Sequence, residues 1–223
     1  MAEILLLRHG QASFGAANYD NLSELGHTQC RWLGEHLRAL GRQCDAVVMG
    51  TMARHRQTAE QVLEGLASDL VPQRHEGLNE YNFQGLLNAL KTDFAEEFVD
   101  TGNHRRDYFH NMKRALTYWA QGRIASDGDD SWQTFCARIQ RALDVVCASG
   151  AKRTLVVTSG GPVAVILSQV LGLGVEQFCA LTLQIKNSSL STLLYNRVDL
   201  TVDCINDVGH LLTPDRQHSI TFS

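Results

Sequence analysis

The run Ile4-Leu5-Leu6-Leu7 followed by Arg8-His9-Gly10 constrains this chain more than any other stretch. Four apolar residues stop abruptly at a cation, an imidazole and a glycine. The run is too short to span a membrane and reads as a fully buried strand. Gly10 lets the backbone turn sharply where the strand stops. Arg8 and His9 are thereby expected at the carboxyl end of a strand, where open α/β sheets hold their ligands. The tripeptide alone leaves a second reading open, in which Arg8 makes an ion pair and His9 closes a loop.

Further strands are expected at Asp45–Gly50, near Val71–His75 with Pro72 marking an edge, at Thr154–Thr158, at Ser188–Tyr195 and at Leu200–Ile205. Helices separate them. Ser23 reads as the cap of a helix with Leu25, Leu33, Leu37 and Leu40 on one apolar stripe, stopped by Gly41. A second helix carries Arg54 near its start and runs to about Leu66. Ser131 caps another, with Phe135, Ile139, Leu143 and Val146 on its buried side. Val163–Leu171 is apolar nearly all round, with Pro162 in its first turn and Gly172 at its end. This alternation predicts a three-layer α/β/α sandwich with a mostly parallel central sheet, as a single domain over residues 1–223. Residues 84–125 are mostly helical in pattern and rich in aromatics, and read as a helical insertion over the active-site edge. Arg105, Arg106, Lys113 and Arg114 lie in it and read as a solvated face in preference to an anion receiver. The polar tail after Thr213 reads as loosely held.

The formal net charge is -4, from 20 basic and 24 acidic side chains, which argues against a nucleic-acid partner. No signal peptide or membrane segment is apparent, so a cytoplasmic protein without membrane association is expected. Six cysteines lie far apart with no Cys-x-x-Cys pair, which fits reduced thiols and no thiolate metal site.

Three strand ends deliver polar groups: Arg8 and His9, Thr51 to Arg54, and Ser159 to Gly161. In a layered sheet they converge on one edge. Two guanidiniums, an imidazole and the helix N-terminal amides that follow Ser159 make an anion site, and phosphate suits it best. No cofactor and no metal are called for.

These residues resemble the histidine phosphatase superfamily, the phosphoglycerate-mutase-like group. Arg8-His9-Gly10, Leu22-Ser23-x-x-Gly26-x-x-Gln29, Arg54-x-x-Gln57-Thr58-Ala59 and Leu78-x-Glu80 follow its motifs in order, and the likeness runs from Ile4 to about Leu212. The resemblance implies that His9 attacks phosphorus and forms a phosphohistidine, that Arg8 and Arg54 hold the phosphoryl oxygens, and that Glu80 serves as acid and then base. It implies a small phosphorylated molecule or a phosphoprotein as partner, and leaves oligomeric state open. A carboxyl beside bound phosphate is expected to have a raised pKa from like charge.

Two positions depart from the pattern. The family carries a second histidine where this chain has Ser159, in Thr158-Ser159-Gly160-Gly161. The family's glycine four residues after the acidic position is Gln84 here, with Gly85 one later. A serine donates a hydrogen bond but brings no charge. Loss of about 2–4 kcal/mol of transition-state stabilisation lowers a rate by roughly 10² to 10³. Two readings therefore stand: a phosphatase turning over at His9, or a phospholigand-binding or regulatory protein with little turnover. No stretch resembles the basic, substrate-specific segment of true mutases. If Ser159 occupies the missing position, Ser159→His is expected to raise turnover unless another group already fills the role. His55 stands beside Arg54 where the family usually has alanine, but neighbouring helix residues point apart, and His210 reads as structural.

Overall fold

In the computed structural model, β1 (Ala2–Arg8) runs through the middle of a six-stranded sheet. The model describes residues 1–13, 20–126, 130–196 and 199–222. The polar loops expected at Gln11–Asn21 and Ala125–Asp130 lie partly outside these residues. The other strands are β2 (Ala46–Met49), β3 (Gln73–Arg74), β4 (Arg153–Thr158), β5 (Leu190–Tyr195) and β6 (Leu200–Asp207). Their order is β3-β2-β4-β1-β5-β6. The β3-β2-β4-β1 half is parallel throughout, whereas β5 is antiparallel to both β1 and β6. β3 lies at the edge, where Pro72 led it to be expected.

The helices are α1 (Glu24–Ala39), α2 (Ala53–Leu66), α3 (Phe83–Asp93), α4 (His104–Ala120), α5 (Trp132–Ala148), α6 (Gly160–Leu171) and α7 (Val175–Thr182). β1 shows how the layers arise. Successive strand residues face opposite sides. Leu5 and Leu7 enter a core with Leu33, Leu37, Val62 and Leu66 of α1 and α2. Ile4 and Leu6 enter the opposite core with Phe135, Ile139, Leu116 and Ile166. Each fully buried side chain of this size contributes about 1.5–3 kcal/mol. The result is the expected three-layer α/β/α sandwich. Among the described residues, no helix is long and apolar enough to cross a membrane.

Ser23 and Ser131 cap α1 and α5, accepting from the backbone N–H of Gly26 and Thr134. The expected stripe on α1 is corrected at its end. The helix stops at Ala39, so Leu40 falls at the C-cap and is 59% exposed, while Gly26, Gln29 and Cys30 extend the buried face instead. α6 begins at Gly160, three residues before the apolar run. α7 was not expected; eight residues burying only Phe178, Cys179 and Thr182 carry too little periodicity to be read.

The tail is a further correction. It is tied down through its backbone carbonyls: Gln29 Nε2 donates to Ser219 O at 2.6 Å and Arg8 Nη1 donates to Phe222 O at 2.7 Å. The backbone N–H of Asn187 also donates to Thr221 O at 2.9 Å. Polar composition says nothing about such bonds, because main-chain carbonyls are common to every residue.

Candidate active site

The parallel register sets Arg8 beside Thr158, so the residues that follow each strand, His9 and Ser159, emerge side by side. The N–H of His9 donates to Thr158 O at 2.9 Å, and the N–H of Gly50, just past β2, donates to Val157 O at 3.1 Å. Three strand ends thus open on one edge. The turn after His9 requires glycine, since a Cβ on Gly10 would lie 2.4 Å from the carbonyl oxygen of Gly26.

A cavity of about 60 Å³ opens there, walled by Arg8, His9, Arg54, Glu80, Tyr81 and Gly160 together with apolar residues. His9 is buried, and its Nδ1 lies 2.7 Å from Gly10 O. A carbonyl only accepts, so Nδ1 carries the proton and Nε2 keeps its lone pair. Burial first, then the charges of Arg54, Arg8 and His55, hold the His9 pKa well below the usual imidazole value. The ring is neutral at pH 7, the state a nucleophile needs.

The two guanidiniums are anchored at the cavity wall. Arg54 Nη1 meets Asp20 Oδ1 at 2.8 Å, and Asp20 Oδ2 accepts from the N–H of Ala53 at 2.8 Å. Arg8 Nη1 donates to the carbonyls of Ile185 and Phe222. Opposite stands Glu80, whose oxygens accept from the N–H of Gly161 at 3.2 Å and Tyr81 at 3.3 Å. Desolvation raises its pKa, outweighing those bonds and the nearby Arg54 and Arg8. Like charge from phosphate is the cause expected from sequence; burial is the cause the structure gives.

The loop bearing Glu80 is held from behind. Thr158 Oγ1 donates to Leu78 O at 2.6 Å. Arg138 of α5 donates to the carbonyls of Gly77 at 2.9 Å and Asn79 at 2.7 Å. Arg138 gave no signal in the sequence, since its partners are backbone carbonyls about sixty residues away.

Arg8, His9, Arg54, Glu80 and Gly160 therefore meet at one cavity. Ser159 does not share its wall; it is fully buried next to Gly160, with Oγ 2.7 Å from His55 Nε2. His55 is the functional candidate that spacing argued against. Both Arg54 and His55 are buried, because α2 packs the sheet edge and the site at once. The His55 ring centroid lies 5.9 Å from that of His9. The signal that pointed to it was an imidazole where the resemblance led to alanine.

The sequence profile of the histidine phosphatase superfamily (branch 1) matches residues 4–208, and the chain belongs to that family. It is 28% identical over 114 residues to a 2,3-bisphosphoglycerate-dependent phosphoglycerate mutase of Mesorhizobium japonicum, covering 47% of this chain and 55% of the mutase. The chain thus spans about half the length of the mutases it matches. A broad-specificity phosphatase of Saccharomyces cerevisiae is 24% identical over 171 residues, covering 74% of this chain and 68% of the yeast protein. In fold, the chain is similar to a putative alpha-ribazole-5'-P phosphatase from Escherichia coli (TM-score 0.69, 20% identity, 93% of this chain and 97% of that one). It is also similar to a mycobacterial glucosyl-3-phosphoglycerate phosphatase complexed with VO3 (TM-score 0.67, 23% identity, 92% and 99%).

Proposed function

We propose that the protein is a metal-independent phosphatase that hydrolyses a phosphomonoester through a phosphohistidine at His9. One observation carries this reading: a neutral imidazole, with its Nδ1 proton given to Gly10 O, shares a cavity with two guanidiniums and a carboxyl of raised pKa. A site for binding alone has no use for a carboxyl of raised pKa in the same cavity as a neutral nucleophile, which favours turnover over the regulatory reading.

The steps balance with these residues. His9 Nε2 forms a bond to phosphorus as the ester P–O bond breaks, and Glu80 gives its proton to the leaving oxygen. Arg8 and Arg54, with the amide of Gly160, hold the equatorial oxygens, so catalysis is positioning and electrostatics. Water then attacks the phosphohistidine, Glu80 takes the water's proton, and the P–N bond breaks.

Phe109, Leu183 and Phe222 belong both to this cavity and to an outer cleft of about 400 Å³ with Arg105 and Lys113 on its rim. This favours a small ester with an apolar body and an anionic far end over a phosphoprotein. Arg105 and Lys113 are both exposed, as expected of a solvated face, and the proposal gives them an anionic group to meet. Water is the acceptor in this proposal, not a second substrate hydroxyl as in a mutase, because no basic mutase-type segment is present in the chain. The same reading places the protein in the cytoplasm, in keeping with its six widely spaced cysteines.

The test is turnover of p-nitrophenyl phosphate with acid-quench trapping of the phosphoenzyme. Wild type turns over and traps label; His9→Ala does neither. Wild-type activity no higher than that of His9→Ala, across several substrates and pH values, sinks the proposal.

A further inference from the structure

Ser159 is the N-cap residue of α6, in extended conformation, yet its side chain caps nothing. An N-cap serine ordinarily accepts from an N–H two or three residues on, a bond worth about 1 kcal/mol. Ser23 and Ser131 do this in the same chain. Ser159 instead meets His55 Nε2 at 2.7 Å, so His55, not the helix, sets the direction of its hydroxyl.

The imidazole has a place made for it. A Cβ on Gly50 would lie 2.1 Å from His55 Nδ1. That nitrogen is buried and has no hydrogen-bond partner. A proton there would be buried unbonded, so the proton belongs on Nε2, where Ser159 Oγ accepts it. The hydroxyl's own proton is then directed away from His55. Ser159 stands beside His9 across the β1–β4 ladder and adjoins Gly160 on the cavity wall.

We infer that His55 and Ser159 act as one donor unit, in which His55 aims the Ser159 hydroxyl at an oxygen of the phosphoryl group on His9. Ser159 lies just behind the wall at Gly160, and in this proposal its hydroxyl meets the phosphoryl oxygen as that group seats on His9; His55 is a positioning residue. The unit stands where the resemblance led to a single histidine, with its imidazole supplied from α2 and not from the start of α6. The inference rests on His9 as the phosphorylated residue. It also reverses the expectation for Ser159→His. The ring added at 159 needs the space that the His55 ring already fills, since both residues are fully buried and in hydrogen-bond contact.

The experiment is an exchange of the two side chains. His55→Ala, Ser159→Ala, the pair of alanines, Ser159→His, and His55→Ala/Ser159→His are compared with wild type. Each is assayed for kcat and KM on p-nitrophenyl phosphate, vanadate affinity by calorimetry, and Tm. Each single alanine is expected to lower kcat by about 10- to 100-fold, with the double alanine no worse than the poorer single, as for residues that act as a unit. Ser159→His alone loses activity, and the exchanged double variant returns to within about tenfold of wild type, the scale of one well-placed donor. His55→Gln keeps an amide donor for Ser159 and retains more kcat than His55→Ala, which guards against a folding defect in the alanine variant. Additive losses, a gain from Ser159→His with His55 in place, or an exchanged variant no better than His55→Ala each overturn the inference. If wild type and His9→Ala are equally inert, the phosphatase reading fails separately. Vanadate then decides the pair: affinity that falls in His55→Ala and recovers on exchange upholds it, and unchanged affinity overturns it.

Discussion

Among the described residues, the molecule buries two histidine–serine pairs of nearly the same geometry. His55 Nε2 lies 2.7 Å from Ser159 Oγ, and His210 Nε2 lies 2.9 Å from Ser188 Oγ. Burial holds both imidazoles neutral, aided by Arg54 in the first case and by His36 and Arg216 in the second. Their surroundings differ. The first pair stands beside His9 and the cavity wall. The second closes a short turn at Gly209–Leu211 near α1, and the backbone of Ser188, at φ 55°, donates to His9 O at 3.1 Å. A buried histidine–serine pair is therefore no mark of catalysis by itself. What the hydroxyl can reach beyond its histidine decides its role.

The largest expected effect separates the pairs directly. His55→Ala lowers kcat by about 10- to 100-fold, in line with loss of a transition-state donor. His210→Ala leaves kcat within about threefold but strands the Ser188 hydroxyl, a cost of about 1–3 kcal/mol. In a chain of this size that is a Tm fall of roughly 2–4 °C per kcal/mol. Parallel kcat and thermal-melt measurements check it. A kcat loss in His210→Ala as deep as in His55→Ala erases the distinction drawn here.

Much of this contrast lay beyond what local pattern reveals. The apolar run into Arg8 and His9 was legible because strand, turn and functional groups sit within seven residues. Arg54, Glu80 and Gly160 were legible because each follows or opens an element whose end the chain advertises. The partnership of His55 with Ser159 spans 104 residues, and only the sheet register and the packing of α2 bring the two together. Helical spacing argued against His55, since a neighbour of Arg54 should point elsewhere. It fails here because α2 is buried on two sides near its start, leaving both side chains enclosed. The hold of Arg138 on the Glu80 loop and of Arg8 on the tail escaped for another reason. Both bonds end on main-chain carbonyls, which no side-chain motif encodes. His210 was read as structural and is found buried in the second pair.

A smaller effect tests whether the room around His55 matters as well as its chemistry. Gly50→Ala places a methyl 2.1 Å from Nδ1, so the ring must shift and its bond to Ser159 lengthen. About a tenfold fall in kcat is expected in the wild-type background, because donor geometry is lost while the donor remains. In a His55→Ala background the clash with the ring is gone and only the milder approach to Asn79 Oδ1, at 2.8 Å, remains, so the further fall in kcat is expected to be clearly smaller, about twofold to threefold. Equal losses in both backgrounds mean that Gly50 acts on the loop and not through His55.

The smallest effect is one in which the two pairs should behave alike. His210 has its pKa lowered to about 3, and His55 and His9 are lowered well below the ordinary value near 6.5. In the unfolded chain each takes up a proton near pH 6.5, whereas in the folded protein each resists it. The stability that depends on neutral rings is therefore fully present above about pH 6.5. It is lost as pH falls from there toward the folded values, at up to roughly 1.4 kcal/mol per pH unit for each histidine. His210→Gln and His55→Gln should each remove one share of this slope between about pH 6 and 4, read from urea unfolding at a series of pH values. Similar slopes with dissimilar kcat would mean that burial gives the two histidines the same thermodynamics, and that only the place of the Ser159 hydroxyl behind the cavity wall turns one of them to chemistry. A slope that changes for one glutamine variant and not the other would show that the pairs already differ in their burial, and the catalytic contrast would then need no phosphoryl group to explain it.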